Sequence, residues 1–351
     1  MYNFCTLFDS NYLTRGLALH DSLLKSGIDF HLYIFAFDEI AFDVLEKLKL
    51  KNITLLKDSY LHTPKLLDAI SDRSRAEYCW TCTPLTIKYC LDFYKLPSCT
   101  YLDADIYFFK SPLQLIDEAK EHSVIITEHY YSKDYTKWEQ TSGKYNVQFM
   151  HFKNDIHGNL VLNWWAEKCI EWCYAYYEDG KMGDQLYLQN WPELFESVHV
   201  MKNRGGGVAP WNILNFIFRR KNKEIILKDI NNGQEYKLIF YHFHALKFMK
   251  NGIQLSGAAY KIDKFVRKHI YFRYIKNLEA IQCKLDSLSL KTAPHGTSGV
   301  ATFSTSKNSI KRAFSFLIEE IRSLLGNPPT TEDNCNIIRY RGIMRYIWRK
   351  F

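Results

Sequence analysis

The sequence predicts an α/β protein with a mixed, mostly parallel sheet flanked by helices and a helical C-terminal appendage. Short apolar runs alternate with helical patterns through the first half of the chain, as in sheets whose parallel strands are joined by crossover helices. After residue 245 this alternation ends, and longer helical patterns surround a stretch rich in Ser, Thr and Gly. A chain of 351 residues with 47% hydrophobic and 24% charged residues can also bury a full core.

The first strand and helix show how the elements are predicted. Residues 2–8 form an apolar run typical of a strand, and Asp9 or Ser10 can cap a helix that ends near Gly27. The apolar stripe of that helix comprises Leu13, Leu17 and Leu24. Further strands are predicted at residues 30–37, 53–56, 100–102, 124–127, 147–152, 198–201 and 238–243. Further helices are predicted at residues 39–48, 75–94, 160–177, 262–285 and 309–325.

Charge and cysteine content limit the kinds of partner and compartment. The formal net charge is +8, from 46 Lys and Arg against 38 Asp and Glu, which favours anionic partners such as phosphates, nucleic acid or an acidic membrane. Part of this excess lies in the tail, because residues 335–351 contain five basic residues and no acidic one. Nine cysteines, no signal-peptide pattern at the start and no apolar run of membrane-span length predict a cytoplasmic protein with reduced thiols.

Two aspartates mark the end of the predicted strand at residues 100–102. Asp103 and Asp105 are one residue apart and follow an apolar run, where two carboxylates are costly unless positive charge neutralises them. Mg²⁺ or Mn²⁺ would do so, since these ions prefer oxygen ligands from one or two carboxylates together with substrate phosphates. The carboxyl end of a strand is also where open α/β sheets bind ligands. The alternative is a loop with two solvated acids.

Five motifs occur in a fixed order along residues 1–250. They are C-T-L-F-D-S-N-Y at 5–12, D-A-D at 103–105, N-V-Q-F at 146–149, G-D-Q at 183–185 and H-F-H at 242–244. In kind and order they resemble those of GT-A-fold nucleotide-sugar glycosyltransferases. The resemblance is to the family-eight-like bacterial sugar transferases of surface polysaccharide synthesis and to glycogenin-type enzymes. It therefore implies a GT-A-like catalytic domain.

The resemblance assigns the first motif to the nucleobase of the donor. Asp9 would meet the base and Tyr12 would stack on it, while Thr6 and Leu7 would line the base pocket through their backbone. A ring at a strand-to-helix turn can stack on a base while the helix N-terminus faces the phosphates. The alternative for Tyr12 is a residue that only packs at the entry to the helix.

The second and last motifs would form the metal site. Asp103, Ala104 and Asp105 would lie against the donor diphosphate, and the two aspartates would bind Mn²⁺ or Mg²⁺. A histidine at the end of the last strand would complete the ligand set without adding negative charge. His242 is the first choice for that ligand and His244 is the reserve.

Of the remaining two motifs, one would read the donor sugar and the other would lie near the reacting centre. Asn146 and Gln148 match the inner strand that contacts the donor sugar, although Gln148 stands where a glycine is usual. Asp184 and Gln185 match the pair near the reacting centre. Retention at the anomeric carbon is implied by the resemblance, and if the enzyme inverts instead, Asp184 is the candidate general base.

A glycine-rich loop precedes two further candidates, Trp211 and Asn212. The loop spans residues 203–212 and lacks the lysine of a P-loop and the spacing of a dinucleotide fingerprint. It could fold over the donor, with both candidates against a sugar, and so exclude water. A plain glycine-rich connection is the alternative.

The resemblance and the composition along the chain together predict the domain organisation. The catalytic domain would span residues 1–260, followed by a basic helix at 261–285 and a Ser/Thr/Gly-rich linker at 286–308. Residues 309–351 would form an amphipathic helix and a basic aromatic tail. That tail could bind an anionic membrane surface, or its charges could simply face water.

The function expected from all of this is a metal-dependent, hexosyltransferase-like enzyme. It would move a sugar from a nucleoside-diphosphate sugar, with UDP expected, to a glycan or lipid-linked acceptor such as a growing lipopolysaccharide or capsular chain. It would act in the cytoplasm or at the inner face of the cytoplasmic membrane. The alternatives are a metal-dependent nucleotidyltransferase or phosphohydrolase, and a basic nucleic-acid-binding protein. No nucleic-acid motif is found, so no nucleic-acid partner is expected.

Overall fold

The computed structural model describes residues 1–249, 252–257, 260–290, 292, 294–296 and 337–339. Within these ranges the strands are β1 (Tyr2–Phe8), β2 (Phe30–Ala36), β3 (Ile53–Lys57), β4 (Ser98–Leu102), β5 (Ile106–Phe108), β6 (Val124–Glu128), β7 (Tyr145–Lys153), β8 (Val198–Val200), β9 (Phe216–Lys221), β10 (Glu224–Asp229), β11 (Glu235–Lys237), β12 (Phe240–His242), β13 (Lys247–Met249), β14 (Gly252–Gln254) and β15 (Ile337–Arg339). The helices are α1 (Leu13–Ser26), α2 (Glu39–Leu48), α3 (Pro64–Ala69), α4 (Arg75–Phe93), α5 (Leu113–Ile116), α6 (Glu139–Ser142), α7 (Ile156–Glu171), α8 (Trp191–Leu194), α9 (Lys264–Val266) and α10 (Phe272–Ser287).

The main sheet has seven strands in the order β3-β2-β1-β4-β7-β6-β8. Among the described residues of this sheet, β7 runs antiparallel to β4 and to β6, and the other neighbours run parallel. Helices flank this sheet, with α4 packed on β1 and β4 and with α7 beside α4. Together with the helical C-terminal segment, this arrangement confirms the fold class predicted from the sequence.

Local capping explains where the flanking helices begin. The Asp38 carboxylate accepts from the Ala41 N–H at 2.7 Å and starts α2, while Ser74 and Glu77 form a reciprocal capping box that starts α4. Such caps satisfy backbone N–H groups that have no partner within the helix. α4 then continues through Pro84, as the sequence predicts.

The chain divides into two compact units. The first comprises residues 1–10 and 19–242, and it contains the seven-stranded sheet, the antiparallel sheet β9–β11 and the pair β5–β12. The second comprises residues 11–18 and 243–351. In its described part, Arg15 donates to the Leu246 carbonyl at 2.9 Å, and the Phe243 and Tyr274 rings stack.

The predicted division into four segments stays a prediction. The helix expected at residues 309–325 lies outside the described residues, as does much of the linker expected at 286–308. Of the tail, the structure describes residues 337–339, which form β15 and pair with β14.

Three details differ from the sequence prediction. Leu24 is 43% exposed, because the buried stripe of α1 passes through Leu23 in its last turn. The helix predicted at residues 160–177 begins earlier, at the Asp155 cap, and ends at Glu171 because Trp172 is extended. The sheet β9–β11 was not predicted, since charges at residues 219–221 obscure its alternation of apolar and polar side chains.

Candidate metal centre

The turn after β4 brings the two aspartates to the edge of the main sheet. The Asp103 N–H donates to the Gln148 carbonyl at 3.0 Å, and the Ile106 N–H donates to the Asp103 carbonyl at 3.3 Å. These two hydrogen bonds fold residues 103–105 into a tight turn that leads directly into β5. Asp103 and Asp105 therefore leave the buried strand together, and Ala104 between them is buried.

His242 reaches the same place from a distant part of the sequence. β12 runs antiparallel to β5, with His242 opposite Ile106. The His242 N–H donates to the Val208 carbonyl at 2.8 Å, so the glycine-rich loop holds the end of β12. This register places the imidazole beside the turn that bears the aspartates.

The three side chains form a group that could hold a metal ion. The Nε2 atom of His242 lies 3.1 Å from Oδ1 of Asp105 and 3.8 Å from Oδ2 of Asp103. All three potential ligand atoms lie within 4.8 Å of one another. The His242 side chain is 6% exposed, that of Asp105 11% and that of Asp103 28%, so the group opens to solvent at Asp103.

Two carboxylate oxygens and one imidazole nitrogen fit Mn²⁺ or Mg²⁺. The pKa of Asp103 is raised to about 6, because burial and the neighbouring Asp105 outweigh the lowering effects of His242 and of a hydrogen bond with Tyr101. Burial lowers the pKa of His242, but Asp105 and Asp103 outweigh it, so this pKa is raised. A divalent cation would relieve the repulsion between the carboxylates, and it would have to compete with protons for these ligands.

Asp184 is a third acidic group near the two aspartates. Its side chain is buried, and its backbone carbonyl accepts from the Trp165 indole N–H at 2.8 Å. Burial and the charge of Asp103 raise the pKa of Asp184 to about 8, while a hydrogen bond with Thr83 acts in the opposite direction. Asp184 therefore carries a proton at neutral pH in the metal-free protein.

Hydrogen bonds connect the two predicted sugar-reading residues, and Gln185 of the predicted reacting centre, to the metal group. Asn146 Oδ1 accepts from the Gln148 N–H at 2.8 Å, and Asn146 Nδ2 lies 3.4 Å from Gln185 Oε1. Gln148 Oε1 lies 2.8 Å from Nδ1 of His242. The structure thus brings Asn146, Gln148 and Gln185 into one network with the candidate metal ligand His242.

The glycine-rich loop is packed against β12. A Cβ atom at Gly205 would lie 2.0 Å from the Lys237 carbonyl oxygen, so only glycine fits there. Asn212 accepts from the Ala209 N–H at 2.9 Å and donates to the Gly207 carbonyl at 2.8 Å. The Asn212 side chain therefore braces the loop, and this region is a buried connection.

Trp211 contacts the metal group directly. Its ring meets that of His242 edge-on, with ring centroids 5.3 Å apart, and it meets the His129 ring at 5.1 Å. Both Trp211 and His242 are buried. The contact with the donor that the sequence predicts for Trp211 and Asn212 stays a prediction.

His129 is a residue that sequence reasoning missed. Its side chain is 3% exposed, and its Nε2 lies 3.0 Å from Asn146 Nδ2. Its backbone carbonyl accepts from the Asn212 side chain at 2.9 Å. His129 directly follows β6, so it could have been found as a polar residue at the end of an apolar strand, as Asp103 was.

The residues assigned to the nucleobase lie in two different units. In the first unit, Thr6 and Leu7 are buried in β1, and the Asp9 carboxylate lies 3.6 Å from Nε of Arg75. In the second unit, Tyr12 is 41% exposed and the Arg15 guanidinium lies 4.5 Å from the centre of its ring.

The reserve ligand is placed differently from His242. His244 belongs to the second unit and its side chain is exposed. Among the described residues, the histidine that groups with Asp103 and Asp105 is His242.

No family model matches the chain. Two curated relatives from Bacillus subtilis (strain 168) do match it. Uncharacterized protein YfnD is 29% identical over 284 residues, which are 79% of this chain and 89% of YfnD. Uncharacterized protein YfnF is 31% identical over 253 residues, which are 70% of this chain and 82% of YfnF. The chain belongs to the same family as YfnF.

Solved structures similar to this chain include three glycosyltransferases. Galactosyltransferase LgtC, in complex with donor and acceptor sugar analogues, has a TM-score of 0.47 at 14% identity and covers 68% of this chain and 86% of LgtC. Mouse xyloside xylosyltransferase 1 has a TM-score of 0.42 at 13% identity. The matched region covers 69% of this chain and 97% of the xylosyltransferase chain. The bifunctional glycosyltransferase WbbM has a TM-score of 0.40 at 13% identity, and this chain spans 39% of its length.

No helix in the described ranges combines the length and the apolar character that a membrane span requires.

Proposed function

We propose that this chain is a metal-dependent glycosyltransferase that moves a sugar from a nucleoside-diphosphate sugar, with UDP expected, onto a glycan or lipid-linked acceptor. The observation that carries the proposal is the convergence of Asp103, Asp105 and His242, whose ligand atoms lie within 4.8 Å of one another. The two aspartates follow a parallel strand at its carboxyl end, where α/β sheets bind their ligands. The order of the sequence motifs around this group supports the same proposal.

The ligand set suits a diphosphate donor. Asp103, Asp105 and His242 supply three ligands, so an ion held there keeps positions for substrate oxygens. A bound Mn²⁺ or Mg²⁺ supplies the positive charge that stabilises a departing nucleoside diphosphate. The greater exposure of Asp103 leaves the group open on the side of that carboxylate.

Asp184 and Gln185 are the proposed residues at the reacting centre. The Gln185 side chain is held by a hydrogen bond from its Nε2 to the Ser142 carbonyl at 2.9 Å. In a retaining reaction, these two side chains would position the acceptor and stabilise positive charge on the sugar ring. In an inverting reaction, Asp184 would have to lose its proton before it could accept the acceptor's proton. A cation that neutralised Asp103 would favour this, because the charge of Asp103 is one cause of the raised pKa of Asp184.

The acceptor and the location follow from the resemblance and from tail composition. A growing lipopolysaccharide or capsular chain would be presented at the inner face of the cytoplasmic membrane. The five basic residues within residues 335–351 would favour an anionic lipid surface there. These parts of the proposal rest on the sequence.

The first test is thermal stabilisation by UDP, GDP and CMP, each with and without Mn²⁺. We expect a shift with one nucleotide that requires Mn²⁺ and that is lost in an Asp103→Ala/Asp105→Ala double variant. The absence of any shift in the wild type would reject the donor site. A panel of sugars on the stabilising nucleotide would then be tested for transfer.

Product analysis separates the proposal from its alternatives. A glycosyltransferase attaches sugar to an acceptor and releases nucleoside diphosphate, whereas a phosphohydrolase releases phosphate and a nucleotidyltransferase releases pyrophosphate. Phosphate as the primary product would indicate a phosphohydrolase, and pyrophosphate would indicate a nucleotidyltransferase. Either result would reject the proposed function.

A further inference from the structure

We propose that Gln148 is a positioning residue that orients His242 as a metal ligand, an inference that rests on the proposed metal site. Gln148 is fully buried in the middle of β7. Its side-chain oxygen lies 2.8 Å from Nδ1 of His242, and Nε2 of the same ring faces Asp105 at 3.1 Å. One edge of the imidazole thus meets an amide, and the other meets the carboxylates.

The contact with Gln148 bears on metal binding because it affects which nitrogen of the His242 imidazole carries the proton. A neutral imidazole carries one N–H, so Nε2 can bind a metal only when the proton is on Nδ1. The Gln148 carbonyl oxygen can accept that Nδ1–H and so shifts the ring toward the tautomer whose Nε2 lone pair is open to a metal. It acts against Asp105, whose carboxylate accepts Nε2–H when no cation is bound. Metal-bound histidines commonly depend on such a partner, and its loss weakens metal binding by on the order of 10–100-fold.

The backbone of Gln148 also forms hydrogen bonds with residues of the candidate site. Its N–H donates to Asn146 Oδ1 at 2.8 Å, and its carbonyl accepts from the Asp103 N–H at 3.0 Å. Gln148 therefore holds the turn of the two aspartates with its main chain and the histidine with its side chain. This single residue couples the elements that supply all three ligands.

A glycine makes room for the Gln148 amide. A Cβ atom at Gly207 would lie 3.0 Å from Nε2 of Gln148 and 2.7 Å from Cγ2 of Thr127, and Gly207 has a φ of +79°. The Nε2 atom of Gln148 is buried and has no hydrogen-bond partner among the described residues. Gly207 thus permits the placement of the amide, whose oxygen is already engaged by His242.

The first measurement is Mn²⁺ affinity. It is obtained by titrating the full chain with Mn²⁺ at pH 8 and recording the EPR signal of the free ion. Gln148→Leu removes the acceptor at similar size, and we expect its affinity to fall by on the order of 10–100-fold. Gln148→Glu keeps an acceptor and should bind no more weakly than wild type. Gln140→Leu, the same change at an exposed glutamine, is the matched control and should bind as wild type does.

The second measurement detects the tautomer itself. Long-range ¹H–¹⁵N spectra of ¹⁵N-histidine-labelled, metal-free protein at pH 9 distinguish Nδ1–H from Nε2–H, and the signal that disappears in His242→Asn identifies His242. Gln148 and Asp105 compete for the ring proton, so we expect a larger fraction of Nδ1–H in the wild type and in Gln148→Glu than in Gln148→Leu. A residue that only filled space would leave the tautomer unchanged.

The outcomes separate this inference from the proposed function. A folded Gln148→Leu protein with wild-type Mn²⁺ affinity and an intact Nδ1–H tautomer would overturn the positioning role alone. A wild type that binds no Mn²⁺ would reject the metal site, and the inference with it. If circular dichroism shows that Gln148→Leu is unfolded, Gln148→Glu decides: retained tautomer and affinity support the inference, and their loss overturns it.

Discussion

Among the described residues, the first unit contains two groups of three potential metal ligands, which differ in ligand chemistry and in burial. One is the carboxylate group formed by Asp103, Asp105 and His242, and the other is the thiol group formed by Cys5, Cys90 and Cys99. The thiol group lies between β1, β4 and α4, and all three of its cysteines are fully buried. In each group, the potential ligand atoms lie within 4.8 Å of one another.

The difference shows that proximity of ligand atoms does not by itself make a metal site. Burial raises the pKa values of Cys90 and Cys99 well above the usual range, so these two thiols stay protonated. Burial also acts to raise the pKa of Cys5, but hydrogen bonds with Cys90, Cys99 and Thr86 outweigh it, so this pKa is lowered. All three cysteines are fully buried and pack as small core residues. The carboxylate group instead carries charge, opens to solvent at Asp103 and has Gln148 on the far side of its histidine. Metal chemistry is therefore expected at the carboxylate group alone.

The largest expected effect follows from removing a ligand. Asp105→Ala should abolish the Mn²⁺-dependent part of stabilisation by nucleotide and reduce sugar transfer by on the order of 10²–10³-fold or more. Thermal shift and a transfer assay measure the two effects. Asp43→Ala, at an exposed position of α2, is the control. If Asp105→Ala kept its Mn²⁺-dependent shift, the contrast between the two groups would disappear.

The next effect is a pH dependence of Mn²⁺ affinity. The raised pKa values of Asp103, at about 6, and of His242 mean that protons occupy these ligands as the pH falls. Metal binding requires their release, so affinity should fall by about tenfold per pH unit below pH 6 for each proton displaced. Mn²⁺ titrations between pH 5 and 8 measure this slope. A flat profile would show that the ion binds elsewhere.

Much of the fold, and part of the carboxylate group, could be predicted from the sequence, because short-range sequence patterns specify them. Residues 2–8 and 39–48 form the predicted strand and helix with the predicted bounds, since their apolar patterns and caps act over short distances. The position of the two aspartates directly after a buried strand could also be predicted from the sequence. His242 was favoured over His244 by its position at the end of a predicted strand.

The remaining features depend on contacts between distant residues. Gln148 and His242 are 94 positions apart, and their hydrogen bond depends on how β7 and β12 are placed around the turn at Asp103. Nothing in a single sequence specifies that placement. The position of His129 after a strand could be read from the sequence, but its contacts with Asn146 and Asn212 could not, because these residues come from separate segments.

A smaller effect is expected from the thiol group, and it should concern stability alone. Cys90→Ser places a hydroxyl in an apolar core, so the free energy of unfolding should fall by about 1–3 kcal/mol. Urea denaturation measures the loss, and Mn²⁺ titration of the folded variant should match the wild type. A Cys90→Ser protein with weakened Mn²⁺ binding would mean that the two groups are coupled, against the separation argued above.

The smallest effect is expected at Trp211, which touches the carboxylate group without supplying a ligand. Its ring packs edge-on against His242, and an aromatic pair of this kind contributes about 0.5–1.5 kcal/mol. Trp211→Leu should therefore weaken Mn²⁺ binding by about two- to tenfold, because the imidazole loses one of its supports. Trp211→Phe keeps a ring and should lie between that variant and the wild type. Equal affinities in all three proteins would show that the position of His242 depends on its hydrogen bonds and not on this ring.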